Sequence, residues 1–217
     1  MSVITNPIFL SIFGTGLVLA VCIGAYRWKQ FQRRIVAWQS FANQRGLDFN
    51  ASPGFFKYAP GTLTMQGVYQ GLPFLLCTEY RGGGDTRHVV TLLQLELGAA
   101  LPRGLVLKPE HMGHKTLQLF GYKDEEVGDE ALDEALLLEN VTPQARAMLV
   151  APRVRGPLLK LGQAYSGFSI EAGFLRVEKA ALLPETAMEL DAFMAPALLL
   201  ARAVQATEAY TGARMRG

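Results

Sequence analysis

The chain has few of the residues that commonly build catalytic and metal sites. Among 217 residues there are two cysteines and three histidines, and the formal net charge is only +2. Cys22 lies inside an apolar run and Cys77 in a separate apolar segment, so the two are not placed to form a disulfide, which agrees with a reducing cytoplasm. So small a net charge offers no basic field for nucleic acid, and none is expected as a partner.

Several enzyme signatures are also missing. The chain has no GxxxxGK[ST] phosphate loop, no GxGxxG dinucleotide fingerprint, no HExxH helix and no GxSxG nucleophile turn. His111 and His114 stand three residues apart, but they lie in a glycine-containing loop, and Cys77 is the only thiol outside the long apolar run. We therefore expect no metal, no cofactor and no catalytic residue, and the chain is predicted to be non-enzymatic.

One long apolar run, residues 8–26, stands out against this background and ends abruptly at Arg27. As a helix it would be roughly 28 Å long, close to the ~30 Å hydrocarbon thickness of a bilayer. Residues 1–7 contain no Lys or Arg, unlike a cleaved signal peptide, and the positive charges follow the run. The pattern predicts an uncleaved transmembrane helix in a bacterial inner membrane, with the N-terminus outside and the main domain in the cytoplasm.

Small side chains recur at every fourth position of this run, at Gly16, Ala20 and Gly24. They would share one stripe of a helix and would let a second helix approach closely. The stripe predicts self-association of the transmembrane helix. The alternative is that glycine and alanine are simply common in membrane spans.

A second helix is predicted to follow directly, over residues 27–46. Its aromatic and aliphatic side chains recur at three-and-four spacing, and Gly46 supplies a C-terminal stop. Three interpretations remain open: a helix packed on the domain, a short coiled coil, or an interfacial helix bound to membrane lipid. The membrane-surface candidates are Arg27, Trp28, Lys29, Arg33 and Arg34.

The remaining residues, 47–217, have the composition of one soluble domain, and the order of predicted elements makes it α+β. Alternating apolar residues predict a mostly antiparallel sheet of about five strands, with two or three packed helices. Predicted strands cover 62–69, 72–80, 87–97, 105–107 and 115–122, with a second hairpin at 165–171 and 174–179. Predicted helices begin at Pro143 and cover 158–163 and 184–210, while 129–138 is either a short helix or an extended arm.

A glycine-rich loop between two predicted strands is the most site-like stretch of the domain. Glycines free the backbone to form an anion-binding nest, and flanking cationic side chains would add charge. A plain flexible hairpin loop is the competing interpretation. The candidate ligand-binding residues are Arg81, Gly82, Gly83, Gly84, Arg87 and His88.

Carboxylates concentrate in one short run of the second half of the domain. They lack the ligand order of an EF-hand loop, and acidic residues favour a helix N-terminus, so the run is expected to be structural. Its members are Asp124, Glu125, Glu126, Asp129, Glu130, Asp133 and Glu134.

The segment 128–136, GDEALDEAL, resembles a Gly-Asp-x-x-Phe-Asp-like segment of an uncharacterised family of bacterial single-pass membrane-anchored α+β proteins, with Leu132 in place of Phe. Leu149, Arg153 and Leu158 follow it, before a hairpin and a last helix. The resemblance extends over roughly residues 38–206. It implies a bacterial source and an α+β domain, but no activity and no site residues.

The sequence thus predicts a short outer N-terminus (1–7), a transmembrane helix (8–26), a basic juxtamembrane helix (27–46) and a cytoplasmic domain (47–217). We expect a membrane-anchored interaction module, working as a homo-oligomer or with an unknown protein partner of the envelope. The alternative is a sensor that binds a phosphorylated metabolite or an anionic lipid headgroup through the loop from Arg81 to His88.

Overall fold

The computed structural model describes residues 7–52, 54, 61–83, 86, 88–98, 101–109 and 125–214, without the side chains of residues 7–14 and 208–214. Within these ranges the chain is α+β, as predicted.

Helix α1 (Pro7–Arg45) is one uninterrupted helix that joins the predicted transmembrane and juxtamembrane segments. It ends at Gly46, whose φ of 66° is the left-handed conformation expected of a glycine stop. Among the described residues, no helix combines the length and the apolar content that a membrane span requires. Side chains 8–14 of the predicted span lie outside the described part. The predicted helix is confirmed. Its transmembrane character stays a prediction.

The described part of the domain contains eight strands: β1 (Asp48–Ser52), β2 (Thr62–Tyr69), β3 (Leu72–Arg81), β4 (His88–Glu96), β5 (Val106–Pro109), β6 (Leu136–Glu139), β7 (Gly167–Glu171) and β8 (Phe174–Ala180). They form a single sheet in the order β1-β2-β3-β4-β8-β7-β5-β6. Every neighbouring pair is antiparallel. The sheet is thus antiparallel as predicted, but larger than the five or so strands expected.

Both predicted hairpins are confirmed. The turn between β2 and β3 is Gln70-Gly71, and the turn between β7 and β8 is Ala172-Gly173, with positive φ at all four residues. Two consecutive positive φ angles define the type I′ turn, whose twist matches that of antiparallel strands.

The additional strands are short and have weak sequence patterns. β1 holds only two apolar residues, and β6 is the uniform run Leu-Leu-Leu before Glu139, which shows no alternation. Residues 130–135 form a helix and residues 136–139 form a strand, whereas the sequence predicted either a short helix or an extended arm. The predicted strand at 115–122 lies outside the described residues.

Four more helices are described: α2 (Glu130–Ala135), α3 (Pro143–Leu149), α4 (Pro152–Ala164) and α5 (Ala187–Arg214). The predicted start at Thr142-Pro143 is confirmed, since the Thr142 hydroxyl accepts a hydrogen bond from the Ala145 amide at 3.2 Å. The predicted separate turn at 158–163 is wrong, because Pro157 lies inside α4. A proline removes one helical hydrogen bond, but α4 retains the buried face formed by Val154, Leu158 and Leu161.

The helices cover one face of the sheet, where alternate residues of the longer strands are buried. Leu76 and Leu93 are paired across β3 and β4, and Leu93 also pairs with Val177 of β8; all three are buried. The residues between them, including Leu75, Leu92 and Arg176, point to the opposite face, which we call the second face and which is half-buried or exposed at these positions.

Candidate functional site

The first described half of α1 exposes apolar side chains in every direction. From Leu17 to Ile23, the large aliphatic side chains are 46% to 63% exposed. A helix that is apolar all round is not stable in water on its own and is normally covered by other protein or by lipid. This stretch, residues 15–26, is therefore a candidate interaction surface, and we call it the apolar half of α1.

The predicted small-residue stripe lies on this surface. A methyl group added at Gly16 or at Gly24 would find no atom within 4 Å, and Ala20 is exposed. Nothing in the described part of the chain occupies the stripe, so a second helix could approach it.

The other half of α1 packs on the domain, which is the first of the three interpretations given for residues 27–46. Phe31, Trp38 and Phe41 are almost completely buried. The Trp38 indole N–H donates to the Pro184 carbonyl at 3.0 Å, and the Arg34 Nη2 lies 2.6 Å from a Glu185 carboxylate oxygen. These contacts join α1 to the segment that precedes α5.

The C-terminal end of α1 also contacts the domain through side-chain interactions. Arg45 forms an ion pair of 3.0 Å with Asp191 of α5, and its guanidinium lies 3.6 Å from the centroid of the Phe41 ring. The Tyr69 hydroxyl of β2 donates to the same Asp191 carboxylate at 3.1 Å. Three elements thus meet at one aromatic and charged cluster.

The predicted membrane-surface residues divide into two groups. Arg27, Lys29 and Arg33 are exposed, whereas Trp28 is half-buried and packs beside Phe31. Arg34 is only 14% exposed and is paired with Glu185, so it is placed for docking α1 on the domain.

The glycine-rich loop is only partly described, and Gly84 and Arg87 lie outside the described residues. Arg81 closes β3 and forms an ion pair with Glu178 at 2.6 Å, and Glu79 lies 3.6 Å from its other nitrogen. Its charge is therefore directed toward β8 and away from the loop.

The other described loop residues contact one another and so stabilise the conformation of the turn. Gly82 has φ +79° and lies so close to the Thr86 carbonyl oxygen that a Cβ would approach it to 2.6 Å. The Thr86 hydroxyl donates to the Gly83 carbonyl at 2.8 Å, and His88 begins β4 with Nδ1 3.0 Å from the Thr86 carbonyl oxygen. Binding of a ligand by this loop stays a prediction.

The acidic run acts structurally in its described part. Asp133 accepts hydrogen bonds from the amides of Val127 at 2.7 Å and Gly128 at 3.0 Å. Asp129 caps α2 and accepts two hydrogen bonds from Arg155, at 2.5 and 3.0 Å. These hydrogen bonds hold the pKa of the Asp129 carboxyl below its ordinary value.

Cys77 and the histidines offer no nucleophile or ligand set within the described ranges. Burial, with Glu79 nearby, raises the pKa of the Cys77 thiol to about 11, so the reactive thiolate is scarce at neutral pH. No group of three metal-ligating side chains occurs among the described residues, and His111 and His114 lie outside them.

The sheet also brings together cations that the sequence did not single out. Lys108 of β5 and Arg176 of β8 both line a groove on the second face, beside Ser169 of β7. They are far apart along the chain and belong to no motif, so only the strand register reveals their proximity.

Comparisons of the chain with protein-family models, with curated proteins and with solved structures find no match. The resemblance to the bacterial membrane-anchored family accordingly stays a prediction.

Proposed function

We propose that this protein is a single-pass, membrane-anchored interaction module without enzymatic activity, with its N-terminus outside the bacterial inner membrane and its α+β domain in the cytoplasm. The observation that supports the proposal is the contrast between the two halves of α1. One half is apolar and exposed on all sides, while the other is packed on the domain. The first half requires a covering of lipid or protein. The second half holds the domain next to the lipid or protein that provides this covering.

The length of the apolar run and the cations that follow it favour lipid as the covering of this half. The described apolar half is shorter than the ~20 residues of a span, and residues 8–14 extend the same apolar run toward the N-terminus. Arg27, Lys29 and Arg33 are exposed just beyond it, where cations sit near anionic headgroups.

The proposed activity is association. Because α1 is continuous and is packed on the domain from Phe31 onward, a partner that binds the apolar half would set the position of the domain as well. A second copy of the chain, bound through the stripe of Gly16, Ala20 and Gly24, is the partner for which the surface gives a specific reason. A different subunit of an envelope complex would use the same surface.

Protease treatment of intact spheroplasts tests the orientation. In cells that express the full-length chain with a C-terminal tag, we expect the tag to resist protease until the membrane is opened with detergent. A tag that is digested in intact spheroplasts, while a cytoplasmic marker protein survives, would contradict the cytoplasmic placement of the domain.

A further inference from the structure

The second face of the sheet carries a groove of about 400 Å³, a size typical of small-molecule sites. Its floor includes the aliphatic side chain of Leu92, and its charged lining comes from three strands that are distant in sequence: Arg81, Lys108, Arg176 and Glu178.

The strand register explains why cations meet there. Ser169 lies opposite Arg176 in the β7–β8 pair, and the β5–β7 register, from Val106–Glu171 and Leu107–Ile170, continues to place Lys108 beside Ser169. Neighbouring strands are about 4.8 Å apart, so Arg176, Ser169 and Lys108 form a row about 10 Å long. A hydroxyl group therefore stands between a guanidinium and an ammonium group.

The charges of this row are not balanced by the described carboxylates. Glu178 is engaged by Arg81 at 2.6 Å. Arg176 donates from Nε to the neutral Gln94 side chain at 2.8 Å, and within the described ranges neither Arg176 nor Lys108 forms an ion pair. Glu171 lies two residues further along β7, on the same face, and among the described residues it forms no ion pair with either cation. The row thus keeps two positive charges facing the groove.

A glycine preserves the arrangement. At Gly167, which lies opposite Glu178 in the β7–β8 pair, a Cβ would approach the Glu178 carboxylate to 3.0 Å and its Cγ to 3.1 Å. A larger residue would displace Glu178 and, with it, the partner that orients Arg81.

We propose that this groove binds a phosphate group, either from a soluble phosphorylated molecule or from a lipid headgroup. Arg176 offers a planar pair of donors, Lys108 a point charge and Ser169 a hydroxyl donor, which together suit the several oxygens of a tetrahedral anion. The site differs from the predicted glycine-rich loop, with which it shares only Arg81, and it does not depend on whether α1 spans a membrane.

Equilibrium dialysis against radiolabelled inorganic phosphate tests the site, using the full-length chain in a phosphate-free non-ionic detergent. We expect saturable binding, and at least about tenfold weaker binding by the double variant Lys108→Gln and Arg176→Gln, because charge-assisted hydrogen bonds are lost. Arg146→Gln with Arg153→Gln removes the same charge from exposed positions on α3 and α4 and should leave binding within about twofold. The charge-conserving pair Lys108→Arg and Arg176→Lys should retain saturable binding and guards against a folding artefact.

A second arm identifies the source of the phosphate. Phosphatidic acid added to the detergent micelles should reduce phosphate binding if a headgroup reaches the groove, and should leave it unchanged if the ligand is soluble. The proposal is overturned by an absence of saturable binding in the detergent alone. It is equally overturned if the glutamine pair binds like wild type, or if the Arg146 and Arg153 pair loses as much binding as the groove variant.

Discussion

Tyr165 shows how a single side chain accommodates a proline inside a helix. Pro196 lies within α5, where it has no N–H to donate. The Tyr165 hydroxyl donates to the Phe193 carbonyl at 2.5 Å and accepts from the Ala197 amide at 3.3 Å, so it bridges two backbone groups of the interrupted turn. Burial raises the pKa of Tyr165, so the hydroxyl stays protonated and remains a donor.

Tyr165→Phe should therefore lower the free energy of unfolding by about 1–3 kcal/mol, because it leaves buried backbone groups without their partner. In a Pro196→Ala background the loss should be smaller, since Ala197 could then bond directly to the Phe193 carbonyl. Chemical denaturation of the four variants of this cycle in detergent measures both numbers. Equal losses in the two backgrounds would contradict the bridging role.

The ion pair between Asp129 and Arg155 leads to a prediction about pH. Because the folded-state pKa of Asp129 is below its ordinary value of 3.8, the stabilisation is present above that pH and is lost as the pH falls through the folded-state value. The free energy of unfolding of wild type should exceed that of Asp129→Asn at pH 7, and the difference should shrink below about pH 4.

The control for this measurement is Glu126→Gln, which changes an exposed carboxylate of the same run. Its free energy of unfolding at pH 7 should lie within about 0.5 kcal/mol of that of wild type. If the Asp129→Asn difference stayed constant between neutral and acidic pH, the ion pair would not have the role assigned to it.

Helix α1 combines two surfaces, the apolar half that carries the small-residue stripe and the half that packs on the domain. We expect the small-residue stripe to mediate self-association, so Gly16→Leu with Ala20→Leu should reduce amine-reactive crosslinking of the dimer in membranes several-fold. Cys22→Leu is the matched control, since position 22 lies on another face of the helix, and it should crosslink like wild type. A dimer band that is equally strong in the stripe variant, or absent in wild type, would contradict self-association through the stripe.

The elements also show what could be read from sequence. The two I′ hairpins were predictable because turn chemistry and alternation agree at Gln70-Gly71 and Ala172-Gly173. β6 was not predictable, since a run of three leucines fits a helix as well as a strand, and only pairing with β5 decides between them. The uninterrupted α4 was missed because buried contacts of Val154 and Leu158 outweigh the local effect of Pro157.

In the described part of the chain, one antiparallel sheet is covered by a helical layer, to which the second half of α1 belongs. The order of the sheet places β8 beside β4 and β5 between β7 and β6, which no local pattern specifies. For the same reason the groove cations Lys108 and Arg176 could not be found from spacing. The apolar half of α1 was recognisable at once, because it depends on composition alone.

Alkaline carbonate washing of membranes from cells that express the full-length chain tests the claim that the apolar half of α1 lies in a membrane. Leu17→Arg with Val21→Arg places two charges in the proposed span, each costing about 2.5–3.5 kcal/mol at a helix centre. Val36→Arg with Gln39→Arg is the matched control, since both positions are exposed on the second half of α1. We predict that wild type and control stay in the membrane pellet and that the span variant is released. Release of wild type by the same wash would contradict the claim.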